Sequence, residues 1–170
     1  MFSKYDFTKK KLFLYMILNV LMISLLVIES MFQITSSSIL MMTLITAVLA
    51  VCFYFLFEFI VAVPKTEERL QSIFIGSGLL LMLIVTSYAN LYFQIYGFFG
   101  DKAFKFSGEH LSGNDFLYYS ITTFTTTGFG DITSIGVISN IVAASEMLTG
   151  FIVSTLFMAV ITSKLVTNLK

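Results

Sequence analysis

Four long apolar stretches dominate this chain of 170 residues and limit the folds that are open to it. They occupy residues 12–28, 39–63, 70–96 and 135–166. A helix needs about 20 apolar residues to cross a bilayer, and each stretch approaches or exceeds that length. Only 12% of the residues are charged, against about 25% in an average soluble domain. The sequence therefore predicts an all-α membrane protein with four transmembrane helices.

The positions of the basic residues predict how these helices are oriented, because cytoplasmic loops are enriched in Lys and Arg. Four lysines precede the first apolar stretch, two basic residues separate the second from the third, and Lys164 and Lys170 lie near the C-terminal end of the sequence. The connection at residues 29–38 contains no basic residue. We therefore expect a multi-pass protein of the cell membrane with both termini in the cytoplasm and residues 97–134 outside.

The first apolar stretch has a second interpretation, because lysines followed by apolar residues are also typical of a signal peptide. No small-residue cleavage site follows this stretch, since the chain continues Glu29-Ser30-Met31-Phe32. A retained helix is therefore the favoured interpretation. The orientation of the later helices is the same in both cases.

Composition excludes several classes of function. The ionisable residues within the apolar stretches are essentially Glu58 and Glu146, which are too few to supply an acid, a base and a nucleophile. No basic patch with interleaved aromatic residues suggests a nucleic-acid partner. Cys52 is the single cysteine, so no intrachain disulfide can form. We expect neither an enzyme nor an organic cofactor.

A more polar segment separates the third and fourth apolar stretches, and its pattern indicates a short helix. Ser112 or Asn114 can cap this helix, and Asp115 is favourable in its first turn. The helix is predicted over residues 116–124. A glycine-containing turn follows, which reads Thr126-Thr127-Gly128-Phe129-Gly130-Asp131.

The two glycines of this turn, Gly128 and Gly130, can adopt positive φ without steric cost. In an ordinary strand, successive carbonyl groups point in alternate directions. Residues that alternate between conformations of opposite hand allow successive carbonyl groups to face one axis instead. A turn of this kind could also belong to an ordinary extracellular loop. With a short helix before it and apolar helices on both sides, however, it resembles the pore loop of potassium channels, where the usual wording is Thr-Val-Gly-Tyr-Gly-Asp.

The resemblance covers residues 70–166 and implies a re-entrant pore helix and a selectivity filter. One pore loop per subunit implies that four identical chains complete the filter as a homotetramer. Residues 70–170 would form the pore module, and residues 1–69 an N-terminal pair of transmembrane helices. Pro64, the only proline, lies near this junction.

The resemblance also implies the residues that bind K⁺ ions. Backbone carbonyls would provide rings of ligands, because a ring of carbonyls can replace the hydration shell of the ion. The hydroxyl of one threonine in each chain would form the innermost ring. The ligands would be Thr126, which supplies both groups, with Thr127, Gly128 and Phe129. The residues expected to support the filter are Gly130, Asp131, Tyr118, Tyr119, Thr122 and Glu146.

Four features depart from the usual pattern of the family. Thr127 replaces valine, and Phe129 replaces tyrosine, with the loss of a hydroxyl group. Tyr118 and Tyr119 occupy positions where many relatives have tryptophans. Thr122 lies where some relatives have a glutamate that pairs with the aspartate after the filter. Selectivity for potassium remains the expectation.

The fourth helix contains the remaining candidates. Gly150 falls at the position of the hinge glycine of the family, although close helix packing is an alternative reason for a glycine there. Glu146 is expected to pack behind the pore helix and to bond its hydroxyls or backbone. Glu58 is expected to reach the membrane surface or to pair with Lys65 or Arg69. The expected cavity residues are Phe151, Ser154, Met158 and Thr162.

The sequence thus predicts a homotetramer in the lipid bilayer that conducts K⁺ passively and selectively. A nonselective monovalent cation channel and a non-conducting accessory subunit are the alternatives. Arg69 is the only arginine, so no ordinary voltage sensor is expected. The chain ends soon after the fourth helix, so no cytoplasmic ligand-binding domain is expected, and a separate regulatory subunit remains open.

Overall fold

The computed structural model describes residues 9–32, 39–63, 70–108 and 110–168. Within these ranges, four helices are long and apolar enough to cross a membrane, as the sequence predicts. One short helix and a 3₁₀ turn at Gly100–Lys102 lie between the third and the fourth of these helices. The helices are α1 (Lys9–Phe32), α2 (Ile39–Ala62), α3 (Leu70–Phe99), the short α4 (Gly113–Phe124) and α5 (Val137–Asn168).

The prediction that the protein is all-α is wrong in one detail, because two short strands pair in the segment between α3 and α5. Strand β1 (Phe104–Phe106) runs antiparallel to β2 (Ile132–Ser134). Aromatic and β-branched residues, which favour strands, make up most of both segments. The pairing holds the chain just after α3 against the chain just before α5, so α4 and the glycine-containing turn lie between two fixed points.

Helix α3 lies at the centre of the fold and is the most buried of the four long helices. Residues 83–90 of α3 are buried without interruption. A single hydrophobic core contains side chains from all five helices. The part of the core next to α4 is aromatic, where Phe104 of β1 packs edge-on against Tyr92, Phe116 and Tyr119. This cluster joins α3, α4 and the small sheet.

Both N-terminal helices pack on α3 and share this core. Polar side chains cross the interface between α1 and α3, where Asn19 donates to the Leu79 carbonyl at 2.8 Å. Asn90 donates to the Met22 carbonyl at 3.1 Å. The division of the chain at residue 69 into two units stays a prediction.

Glu58 has a partner that the sequence did not suggest. The Glu58 carboxylate pairs with the ammonium group of Lys11, at the start of α1. Helices α1 and α2 follow one another along the chain and run in opposite directions, so the first turn of α1 lies beside the last turns of α2. The predicted partners, Lys65 and Arg69, lie outside the described residues.

Candidate functional site

The N-terminus of α4 is fixed by a reciprocal pair of hydrogen bonds. The Ser112 hydroxyl accepts from the backbone N–H of Asp115, and the Asp115 carboxylate accepts from the backbone N–H of Ser112 at 2.8 Å. This capping box satisfies two N–H groups that a helix start leaves without partners. It confirms Ser112 rather than Asn114 as the cap, and the helix begins at Gly113, three residues before the predicted start.

The C-terminus of α4 leads directly into the turn through a Schellman motif. The Thr127 N–H donates to the Thr122 carbonyl at 2.8 Å, and the Thr126 N–H donates to the Thr123 carbonyl at 3.0 Å. This motif requires a left-handed residue, which is usually glycine. Thr126 occupies the position with φ +57°, and it is the one non-glycine residue with positive φ in the described ranges. A left-handed L-residue costs about 1–2 kcal/mol, so the surrounding contacts hold Thr126 in a strained state.

The backbone reverses its hand at every second residue along the turn. Thr126, Gly128 and Gly130 have φ values of +57°, +51° and +82°. Thr127 and Phe129 lie between them with negative φ. In a strand, successive carbonyls point to opposite sides, and a reversal of hand at alternate residues cancels this alternation. The sequence predicted positive φ at the two glycines, and the structure adds Thr126.

Tyr118 connects α4 to the turn. Its ring stacks on the ring of Phe129, with centroids 6.4 Å apart and planes inclined by 7°. A hydrogen bond to the Asp131 carboxylate raises the pKa of the Tyr118 hydroxyl, because the bond stabilises the protonated phenol. Asp131 also accepts from the N–H of Ile132 at 3.0 Å. The sequence predicted Tyr118 as a support of the filter but did not predict its contact with Asp131.

The other two predicted supports on α4, Tyr119 and Thr122, have different surroundings. Tyr119 is buried and packs against Tyr92, with ring centroids 4.9 Å apart, so its ring contacts α3 rather than the turn. The Thr122 hydroxyl donates to the Tyr119 carbonyl within α4. The backbone carbonyl of Thr122, however, accepts from the N–H groups of Thr127 and Gly128, so Thr122 contacts the turn through its backbone.

Glu146 of α5 lies at the meeting point of three helices and is fully buried. The Tyr92 hydroxyl of α3 donates to Glu146 Oε2 at 2.6 Å. The Ser120 hydroxyl of α4 lies 2.5 Å from Glu146 Oε1 and 2.8 Å from the Val85 carbonyl of α3. The sequence identified Glu146 and the helix that it packs against. The predicted bond to a hydroxyl of that helix is confirmed at Ser120, although the sequence did not single out this residue. The sequence missed Tyr92 of α3.

Gly150 lies against the end of α4. A Cβ atom built on Gly150 would overlap the carbonyl oxygen of Phe124, which is a backbone atom and cannot rotate away. The helix α5 continues through this residue. The structure thus gives Gly150 a packing reason, and its role as a hinge stays a prediction.

The four predicted cavity residues share one face of α5. All of them are exposed in the single chain, whereas Val153, between them in sequence, is buried against the core. The face therefore points away from the other helices of its own chain. These residues are Phe151, Ser154, Met158 and Thr162.

Residues 89–167 match a protein-family model described as "Ion channel". The matched region covers slightly less than half of the chain and includes the end of α3, all of α4, the turn and nearly all of α5. No curated protein and no solved structure matches. With the four long apolar helices, the match supports an ion channel in a membrane rather than an enzyme.

Proposed function

We propose that the chain is the subunit of a homotetrameric potassium channel and that residues 126–129 form its selectivity filter. The observation that carries this proposal is the alternation of hand at Thr126, Gly128 and Gly130. The alternation starts at the carboxyl end of α4 and lies inside the region that matches an ion-channel family. A turn in a solvated loop needs no such repeated reversal.

In this proposal, α4 is the pore helix and the turn replaces the water around a dehydrated K⁺ ion. Carbonyl rings from Thr126, Thr127, Gly128 and Phe129 surround the ion, and the Thr126 hydroxyl adds the innermost ring. The carboxyl end of α4 carries a partial negative charge, because the peptide dipoles of a helix add along its axis. This charge favours a cation near the turn.

Exposure of the turn supports the assembly of several copies. All residues from Thr125 to Asp131 are exposed in one subunit. Irregular backbone is tolerated at membrane depth only where it is buried in protein or lines a water-filled cavity. A ring of four subunits meets this condition, because each turn then faces a shared axis. The exposed face of α5 from Phe151 to Thr162 would line the water-filled cavity below the filter.

The supporting residues divide into two groups. Tyr118, Asp131 and Gly130 would hold the outer part of the turn, while Thr122 accepts hydrogen bonds at its inner part. Behind α4, Tyr119 and Glu146 would fix the helix against α3 and α5, and Gly150 would set the approach of α5. The protein would span the cell membrane with both termini in the cytoplasm, according to the distribution of its basic residues.

The test is the reversal potential of the purified protein in a planar bilayer with potassium on one side and sodium on the other. The proposal expects reversal near the potassium equilibrium potential. Equal permeability would instead establish the nonselective cation channel, and the absence of current would favour an accessory subunit. Gly128→Ala is the control, because it strains the turn at φ +51° while leaving the helix contacts in place. It should assemble and lose selective current.

A further inference from the structure

The outer end of α1 contacts the N-terminus of α4, although α1 lies outside the region that matches the ion-channel family. The Ser30 hydroxyl accepts from the backbone N–H of Gly113 at 3.1 Å. Gly113 is the first residue of α4, and its N–H is one of the four that a helix start leaves without an internal partner. A side chain of α1 thus adds a third hydrogen bond to the cap that Ser112 and Asp115 form.

The backbones of the two helices also approach closely at this point. A Cβ atom built on Gly113 would lie 3.0 Å from the carbonyl oxygen of Leu26 and 3.0 Å from the Cβ of Ser30. Both of these atoms belong to α1, and neither can move without the helix. Gly113 is therefore required by a contact with α1 and not by a positive φ.

Polar contacts fix the position of α1 itself. Next to Ser30, the buried Glu29 carboxylate accepts from the side-chain amide of Gln94 on α3 at 2.9 Å. Two further amide side chains, Asn19 and Asn90, bond backbone carbonyls across the same interface. Buried polar groups in a membrane lose their partners if the helices rotate or slide, and so these contacts fix the register of α1.

The opposite end of α4 is the start of the turn. Helix α4 has 12 residues, so its two ends are separated by roughly 18 Å at 1.5 Å per residue. A helix of this length moves as a rigid rod, and a shift at Gly113 therefore changes the position of Thr126. The chain of contacts runs from α3 through Glu29 and Ser30 to Gly113, and then along α4 to the turn.

We propose that the outer end of α1 sets the position of the filter and that Ser30 is a positioning residue for ion selectivity. The inference rests on the proposed function, and it assigns a role to the N-terminal helix pair, for which the family resemblance implies none. Ser30 itself does not touch the ion. It acts through the orientation of α4.

The experiment compares Ser30→Ala with Ser24→Ala. Ser24 lies on the same helix, and its hydroxyl bonds only the Leu21 carbonyl of α1 among the described contacts. A second pair compares Gly113→Ala with Gly78→Ala, because a Cβ built on Gly78 meets nothing within 4 Å. Ser30→Thr keeps the hydroxyl and serves as the conservative rescue. Each variant is measured as the full chain, for assembly, for the potassium-to-sodium permeability ratio and for hydrogen exchange at the Gly113 amide.

We expect Ser30→Ala to assemble, to exchange the Gly113 amide faster and to lower the permeability ratio by roughly two- to tenfold, the factor typical of one hydrogen bond. Gly113→Ala should lower the ratio as well, whereas Ser30→Thr, Ser24→Ala and Gly78→Ala should match the unmodified protein. An unchanged permeability ratio in Ser30→Ala, or failure to assemble in that variant alone, would overturn the inference. The proposed function would still stand in either case, provided that the unmodified protein is selective. If the unmodified protein were nonselective, the proposed function would fail. The contact with α4 is tested separately, because exchange of the Gly113 amide in Ser30→Ala that is no faster than in the unmodified protein would refute it.

Discussion

Gly150 of α5 lies so close to the carbonyl oxygen of Phe124 that no side chain fits between them. Phe124 is the last residue of α4, and the glycine-containing turn begins immediately after it. This contact therefore joins the start of the turn to the middle of the last long helix. It gives the glycine a structural role whether or not the helix also bends there.

Gly150→Ala should destabilise the protein by about 1–3 kcal/mol, the usual cost of inserting a methyl group into a packed site. The measurement is thermal unfolding of the purified protein in detergent. Gly78→Ala is the matched control, because the same change there meets open space. Equal unfolding temperatures for the two variants would show that Gly150 is retained for bending alone.

Replacing Glu146 distinguishes a hydrogen-bonding role from a requirement for a carboxylate. Glu146→Ala should destabilise the protein by about 1–3 kcal/mol, because it leaves the buried hydroxyl of Tyr92 without its partner, whereas Ser120 keeps the Val85 carbonyl. Glu146→Gln should cost less, since the amide keeps an acceptor for Tyr92 and a donor for Ser120. Thermal unfolding measures both variants. A glutamine variant as unstable as the alanine variant would contradict this account of the site.

The two contacts of Tyr118 can be separated by mutation. Tyr118→Phe removes the hydrogen bond to Asp131 and keeps the ring that stacks on Phe129. Because exposed polar pairs contribute little, we expect it to change the permeability ratio by less than about threefold. Tyr118→Ala removes both contacts and should reduce the ratio further, as bilayer recordings would show. If the phenylalanine variant were as damaging as the alanine variant, the hydrogen bond rather than the stack would hold the turn.

Thr126 combines a strained backbone with a proposed ion ligand, and Thr126→Gly affects the two in opposite directions. The glycine variant should relieve about 1–2 kcal/mol of left-handed strain and so unfold at a higher temperature in potassium-free buffer. It should also bind potassium more weakly, because the innermost hydroxyl is lost. Calorimetric titration with potassium measures the second effect.

Thr126→Ser is the control for this pair, since it keeps the hydroxyl at the same backbone position. It should bind potassium nearly as well as the unmodified protein. Lower stability of Thr126→Gly in potassium-free buffer would show that the threonine side chain makes contacts worth more than the strain.

Local patterns in the sequence predicted most of the helical framework. The long helices follow from unbroken apolar stretches, and the cap at Ser112 follows from a polar residue three positions before Asp115. Positive φ at Gly128 and Gly130 follows from the chemistry of glycine. Each of these features depends on residues that are neighbours in the sequence, and so each can be read without a structure.

Contacts between distant residues were predicted less well. Lys11 pairs with Glu58 although they are 47 positions apart, whereas the sequence suggested nearer basic residues. Ser120 and Tyr92 reach Glu146 only because three helices meet at one point. Positive φ at Thr126 was also missed, because local preference disfavours it and the two hydrogen bonds of the helix end impose it.

The most direct test of the central claim is an experimental structure of the assembled protein in potassium. The account predicts four subunits around one axis, with ion density between rings of carbonyl oxygens from Thr126, Thr127, Gly128 and Phe129. Replacing potassium with sodium should weaken or rearrange that density. A structure in which the turn points away from any symmetry axis, with no ion coordinated by its carbonyls, would contradict the account.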